Sequence, residues 1–346
     1  MINATVIGHY GGDKTFLDGQ TVKTKIVTDE LIKRYGSGSV QTLDTYRVNR
    51  KLLYLTFAII KALKNSNNVI ILPAQNGLKV FVPLLICFNH FFHRRLHYCV
   101  IGGWLPSLIQ NKNGLKSKLK KFDGIYVETS IMKNALEEQD FSNVVLMPNC
   151  KDLKIVGENE LVFIQSEPYR LCTFSRVMKE KGIEDIVEAV KKINNKYQRV
   201  LCTLDIYGQV DSGQVDWFEN LKRDFPEYVK YEGCIDFDKS VDVIKNYFLM
   251  VFPTHFFTEG IPGSIIDAYA AGVPVVATKW ESFSDIIDEG KTGFGYDFGK
   301  NEELPILLEK LFSKPADVNM IKKNCIRKAK EYIPSSVVNN LAMHLR

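Results

Sequence analysis

In the stretch FFTEGIPGSIIDAYAAGVPVVAT, Phe256 to Thr278, a carboxylate sits on a Gly-Pro-Gly loop, a second follows eight residues later, and a new apolar run closes the segment. Glu259, Gly260, Pro262 and Gly263 fall within five residues, a composition that ends regular structure and exposes backbone amides. Pro262 then fixes φ ahead of a helix start near Gly263, where Ser264 can act as a cap. Free N–H groups of Gly263, Ser264 and Ile265 at such a terminus form an anion site, because the helix end carries about half a positive charge. Asp267, one turn on, leans its carboxylate back toward hydroxyls beside that anion. Glu259, across the loop, can accept hydrogen bonds from a second polyhydroxy group. A phosphate flanked by two hydroxyl-bearing groups describes a nucleoside diphosphate with a sugar attached. The bland alternative makes Glu259 a turn cap and Asp267 a solvated helix residue.

A second segment, TFSRVMKEKGIEDIVEAV, puts Arg176 and Lys181 on a loop between a strand and a helix that begins at Gly182. Two fixed cations there can neutralise a diphosphate leaving group; a pair of exposed basic loop residues is the plain reading. A third, IGHYGGDKTFLDGQTVKT, is a glycine-rich loop after the first strand. Gly11, Gly12 and Gly19 let backbone approach a ligand closely, but the G-x-G-x-x-G spacing of a dinucleotide fingerprint is missing.

These segments need elements to hold them. Short Val- and Ile-rich runs (ATVIGH, NVIILPA, LHYCVIGG, GIYVET, NVVLMPN) alternate with amphipathic helical segments, the pattern of parallel βαβ units. After MPNCKDLKIVG the alternation restarts with RLCTFSRV and runs through VLCTLDIYG, VKYEGCI, LMVFPT, VPVVAT and TGFGYDF. At 346 residues the chain suits two domains, 1–150 and 151–332, with a hinge near Pro148–Lys154. A shared ligand would then lie in the cleft between the carboxyl ends of their strands.

The net charge of +5 is unevenly spread: residues 1–150 hold 19 Lys/Arg and 10 Asp/Glu, and the remainder holds 26 and 30. Residues 51–100 carry six basic residues and no acidic one, with HRRLH directly after LLICFNHFF. A basic surface beside apolar side chains suits an anionic membrane or phosphorylated lipid, and a core segment with a solvated basic edge fits as well. The longest apolar runs are too short to span a bilayer, and the N-terminus has no basic region or cleavage site of a signal peptide. The chain reads as cytoplasmic, with a peripheral position on the inner face of the cytoplasmic membrane. Seven scattered cysteines without a C-x-x-C pair read mostly as reduced core residues. Nucleic-acid binding is disfavoured, since the basic residues lack aromatic interleaving or a known module.

On these residues the chain resembles the retaining glycosyltransferases of family 4, which have the GT-B fold: an α/β architecture of two doubly wound Rossmann-like domains facing each other across a cleft. The likeness is strongest from Glu259 to Thr278, similar to that family's E-x(7)-E region and the Gly-x-Pro-Val-Val strand after it. It implies that Glu259 binds donor-sugar hydroxyls and Asp267 the ribose, one methylene shorter than the usual Glu. FSRVMKEKG resembles the G-R-x-x-x-x-K-G segment, which assigns Arg176 and Lys181 to the donor phosphates. YEGCI resembles the loop lying against the base, pointing to Gly233, Cys234 and Ile235; DGQT stands where the family has a Gly-Gly turn, pointing to Gly19 and Gln20. Gly260, Gly263, Ser264 and Ile265 complete the implied donor site. VIGGW, Val100 to Trp104, lies where many members carry an active-site His and has none, so no catalytic base is named.

The implied activity is transfer of a sugar from a nucleotide donor, with UDP favoured, to a growing and lipid-linked glycan in bacterial capsule, exopolysaccharide or O-antigen synthesis. It also implies that 1–150 is the acceptor-side domain and 151–332 the nucleotide-sugar donor-binding domain, and that the C-terminal helix, about 333–346, crosses back onto the first. No metal or other cofactor is expected. Asp236–Asp238 imitates a metal-binding D-x-D, but such short acidic matches arise often by chance. Two other functions use the same fold. A nucleotide-sugar 2-epimerase needs acid and base groups around the sugar, and none stands out. A non-catalytic nucleotide-sugar-binding protein needs no acceptor surface, which the +9 first half argues against.

Overall fold

The computed structural model of the chain describes residues 3–12, 19–46 and 52–345. They form two compact units, Met1–Asp152 with Tyr332–Arg346, and Leu153–Glu331. The first unit is built on six parallel strands: β1 Ala4–Gly8, β2 Val40–Asp44, β3 Asn68–Leu72, β4 Arg95–Cys99, β5 Gly124–Val127 and β6 Val144–Leu146. Their order is β2-β1-β3-β4-β5-β6. Every residue of β1 and β3 is buried, as expected of central parallel strands covered on both faces. β2, with the sequence VQTLD, is the edge strand and is absent from the alternation read above. Its exposed Gln41 and Thr42 break the apolar run by which a buried strand is recognised.

The apolar run 80–88 lies inside the helix Gln75–Phe92. Leu78, Phe81, Val82 and Leu85 face the core. Val80, Leu84, Cys87 and Phe91, spaced along the opposite side, are exposed or half-buried. The HRRLH tract that follows is not a solvated basic patch. His93 ends the helix in a left-handed turn at φ 53°, and Asn89 clamps the backbone N–H and C=O of Arg94 at 2.7 Å each. Arg94 donates to the carbonyl of Leu63 at 2.9 Å and Arg95 to that of His344 at 3.2 Å. His97 is buried beside Asn68 and Tyr126, and burial pulls its pKa down to about 3, so it is neutral. The tract is therefore spent on joining helix, strand and C-terminal segment. That segment is two short helices, Pro334–Val337 and Asn339–Ala342, where a single helix was expected; Val337, Val338, Leu341 and Leu345 enter one core with Val6, Val27 and Leu31.

The second unit has its own six parallel strands: β7 Tyr169–Phe174, β8 Cys202–Tyr207, β9 Val229–Gly233, β10 Leu249–Phe252, β11 Val275–Lys279 and β12 Gly293–Asp297. Their order is β12-β11-β10-β7-β8-β9. The chain steps outward from β7 to β9, then returns to β10 on the other side of β7. Connections leave β7 and β10 in opposite directions, which opens a crevice at their carboxyl ends, the usual ligand position in such sheets. In the first unit the corresponding reversal lies between β1 and β3.

All seven cysteines are unpaired; Cys87 and Cys234 are exposed and the other five are buried. Among the described residues no helix is long and apolar enough to cross a membrane.

Candidate functional site

The second unit's crevice is built by one close approach. Gly182, at φ 68° between the turn Lys179–Lys181 and the helix Ile183–Tyr197, lies where a Cβ would stand 1.9 Å from the carbonyl oxygen of Pro253. Only glycine fits both the dihedral and the space. The loop after β7 is thereby pressed against the loop after β10, and His255 N–H donates to the Glu180 carbonyl at 2.8 Å across the same seam. His255 also meets Asp185 at 2.5 Å. Gly208 performs a similar task at the next strand. Its φ is 134° and a Cβ there would be 1.8 Å from the Ser175 carbonyl, so the end of β8 presses on the residue before Arg176.

The seam brings Lys181 and Glu259 together. Lys181 Nζ donates to Glu259 Oε2 at 2.5 Å, with side-chain exposures of 15% and 21%. Thr254 Oγ1 reaches the same carboxylate oxygen at 3.3 Å. The ammonium also lies 5.3 Å from the centroid of the Phe252 ring and 5.0 Å from that of Phe256, a cation held between two aromatic faces. Thr254 is fixed in turn, since Thr278 at the end of β11 donates to its carbonyl at 2.8 Å. Arg176 is the more open cation, 57% exposed and 3.6 Å from Asp211.

The remaining expected positions divide. Gly263 opens the helix Gly263–Ala270 behind Pro262, and Gly260 lies on the loop before it. The cap is Pro262, without a side-chain bond, so Ser264 sits in the first turn and does not cap the helix. Ile265 N–H turns back to the Pro262 carbonyl at 3.1 Å, which withdraws it from the expected set of free amides and leaves Gly263 and Ser264. Asp267 is buried at 5% exposure, and a ribose would meet it only through that small opening. Gly233 ends β9 at φ 77° with nothing within 4 Å of where a Cβ would be, so a flat ring has room; Cys234 beside it is exposed and Ile235 half-buried. Asp236 of the D-x-D match is paired with Lys239 at 2.9 Å. Among the described residues no group of three or more His, Cys, Asp or Glu is placed to hold a metal ion.

Gly19 and Gln20 belong to the first unit. Gln20 donates to the carbonyl of Leu72 at the end of β3, at 3.0 Å, so it bridges that sheet's own reversal point. Asp18 lies outside the described residues. The glycine-rich loop after β1 is held by Asp44, which accepts from the backbone of Tyr10 at 3.0 Å, Gly12 at 2.8 Å and Tyr46 at 2.9 Å. Beneath it, buried Lys23 donates to Glu128 at 2.6 Å and to the Val100 carbonyl at 3.0 Å. Asp44, Lys23, Glu128, His255 and Gly208 were missed from sequence. His255 stands next to a segment already singled out and Gly208, Lys23 and Glu128 lie within quoted runs, but none of the five carries a local pattern that signals its partner.

Residues 168–313 match the family model described as glycosyl transferases group 1. The match covers the crevice and all of its residues. Over 165 residues the chain is 26% identical to the capsular polysaccharide biosynthesis glycosyltransferase CapM of Staphylococcus aureus, covering 47% of this chain and 42% of the relative. Over 174 residues it is 26% identical to the alpha-monoglucosyldiacylglycerol synthase of Acholeplasma laidlawii, covering 49% and 41%. The matched part thus spans about two-fifths of the length of either curated relative. The crystal structure of Anabaena HepE in complex with UDP-glucose superposes with a TM-score of 0.75 at 14% identity, covering 99% of both chains. The two sheets and their flanking helices have the GT-B fold. The family match and the relatives support a group 1 glycosyltransferase.

Asp44 yields a stability prediction. Burial opposes its ionisation, yet three backbone N–H groups and nearby His9 outweigh it and hold the carboxyl below its ordinary value of 3.8. A depressed folded-state pKa means a contribution fully present above the unfolded value and lost as pH falls through the folded one. Asp44→Ala should lower stability at pH 7 by about 2 kcal/mol, the scale of hydrogen bonds to a charged group. In urea titrations the gap between variant and wild type should close as pH falls below 3.8.

Proposed function

We propose that the protein is a retaining glycosyltransferase that moves a sugar from a UDP-sugar to a growing, lipid-linked glycan in capsular, exopolysaccharide or O-antigen synthesis. The observation that carries the reading is the Lys181–Glu259 pair at the β7/β10 crevice, beside the start of the helix Gly263–Ala270. Arg176, Lys181 and the amides of Gly263 and Ser264 face the diphosphate, Glu259 takes the donor sugar's hydroxyls, Asp267 the ribose, and Gly233, Cys234 and Ile235 the base. The bond from the anomeric carbon to the phosphate oxygen breaks, and its electron pair stays on that oxygen. The acceptor hydroxyl adds on the same face of the sugar, and its proton passes to the departing phosphate oxygen. This needs no protein base and no metal, because fixed cations and amides stabilise the leaving group. CapM is a capsular enzyme by name and the Acholeplasma relative a glycolipid synthase, which supports a surface-glycan or lipid-linked acceptor.

The membrane part of the reading moves from Arg94 and Arg95, which hold backbone carbonyls, to the outer face of the helix Gln75–Phe92. Phe91 there is 74% exposed, Val80 lies on the same side, and Lys79 is an exposed cation. Exposed Lys61 and Lys64 belong to the helix Leu52–Asn65, and each cation near an anionic surface contributes about 1 kcal/mol.

Glu259→Ala should cut turnover of UDP-sugar donors about a hundredfold with the fold intact by circular dichroism, in line with loss of one transition-state contact. Asp267→Asn, nearly isosteric for a buried site, should weaken UDP binding about tenfold by calorimetry; wild-type turnover or unchanged UDP affinity removes the respective assignment. Activity should persist in EDTA, and complete loss restored by Mg²⁺ would overturn the metal-free step. Phosphatidylglycerol vesicles should sediment the protein better than phosphatidylcholine vesicles, less so at high salt or in Lys79→Glu/Phe91→Glu. Equal sedimentation with both lipids at low salt sinks the membrane part alone.

A further inference from the structure

Phe256 and Phe257 precede Glu259 on the loop after β10, yet both face solvent where an apolar ring would ordinarily be buried. Phe257 is 50% exposed and meets Phe298, just past β12, edge to face, with ring centroids 5.2 Å apart at 76°. The loop is firmly fixed. Phe256 N–H donates to Thr254 Oγ1 at 3.2 Å, Glu259 N–H to the Phe256 carbonyl at 3.3 Å, and Glu281 N–H to the Phe257 carbonyl at 3.0 Å. A rigid exposed ring, Phe257, braced by half-buried Phe298 beside a candidate sugar site is a binding surface more readily than a defect of packing.

Strand order says which ring it would hold. Along the carboxyl edge of the sheet the order runs β9, β8, β7, β10, β11, β12. The proposed base loop is at β9, the phosphate cations follow β7, and Glu259 follows β10. Phe257 and Phe298 lie beyond Glu259, after β10 and β12, and the base loop is three strand spacings, about 14 Å, from β10. A donor laid out from base to sugar ends at Glu259, so the next ring along the edge belongs to another molecule. Aromatic faces are electron-rich and attract the weakly positive C–H bonds on the apolar face of a pyranose. Exposed Glu281 flanks the pair and can accept from the ring's hydroxyls, while Asp297 next to Phe298 is paired with Lys300 at 2.6 Å. The Glu281 carboxylate beside the ring also opposes an anionic lipid surface.

We propose that Phe257, held edge-on by Phe298, forms a stacking platform for a pyranose ring of the acceptor, which makes the acceptor a glycan at the point of transfer. This deepens the sugar-transfer reading and rests on it.

The test is saturation-transfer NMR on the full chain with UDP present, using methyl α-glucoside, methyl α-galactoside and methyl β-N-acetylglucosaminide as probes. At least one should receive saturation on its apolar C–H face. Phe257→Ala should weaken that probe about tenfold, and Phe257→Trp should restore it. UDP affinity, measured on the same samples, should move less than the glycoside's. Three results overturn the platform: no glycoside contacts the wild type, Phe257→Ala leaves the contact intact, or Phe257→Ala weakens UDP as much as the glycoside. Loss of anionic-vesicle binding in Phe257→Ala with no glycoside contact would make the pair a membrane face and overturn it too. Failure of the wild type to bind or hydrolyse any nucleotide sugar would instead reject the sugar-transfer reading itself.

Discussion

The second unit's crevice depends on the carbonyl of Pro253 occupying the space where any residue but glycine at position 182 would carry a side chain. Two loops that leave neighbouring strands in opposite directions would otherwise splay apart. Pressed together, they put an ammonium from one and a carboxylate from the other within hydrogen-bond reach, beside the start of a helix. The GT-B sheet supplies the crevice by its strand order, and Gly182 sets its width.

That pairing changes what the cations do. Both Arg176 and Lys181 read from sequence as free positive charges awaiting a diphosphate. In the folded chain Lys181 is neutralised by Glu259 and walled by Phe252 and Phe256, and only Arg176 remains largely open. A half-buried ion pair holds its geometry better than an exposed one, because less solvent screens it. On the proposed reading, an arriving donor meets Arg176 and the helix amides first. Its sugar hydroxyls can then take over the carboxylate while its phosphate takes over the ammonium, an exchange of partners in which neither charge is left bare.

Much of this was legible in the sequence where a motif combines composition with local geometry. Gly182 and Gly263 mark turns at strand ends, and Arg176, Lys181 and Glu259 lie next to them. Short β-like runs announced every strand but β2, whose edge position lets polar residues interrupt the pattern. What stayed hidden was pairing across long separations. Lys23 and Glu128 are 105 residues apart in the chain, and nothing near either one signals a partner. Asp44 gathers three backbone amides that become convergent only after β1 and β2 pair. The HRRLH tract misled in the other direction: charge composition cannot distinguish a guanidinium in water from one that caps a carbonyl, and Arg94 and Arg95 do the latter.

Both units use the same device in different chemistry. In the second, glycine permits backbone contact and an ion pair spans the reversal between β7 and β10. In the first, Gln20 spans the reversal between β1 and β3 with a neutral amide, and the charge lies deeper, in the Lys23–Glu128 pair under the carbonyl of Val100. A neutral bridge imposes no preference for an anion at the mouth of that sheet, whereas Arg176 and the amides of the other unit do. The two sheets have similar topology, so the difference in what each can bind comes from a few side chains at their reversal points. This difference is the ground on which the proposed donor phosphate is assigned to the second unit, although the first carries the greater positive charge.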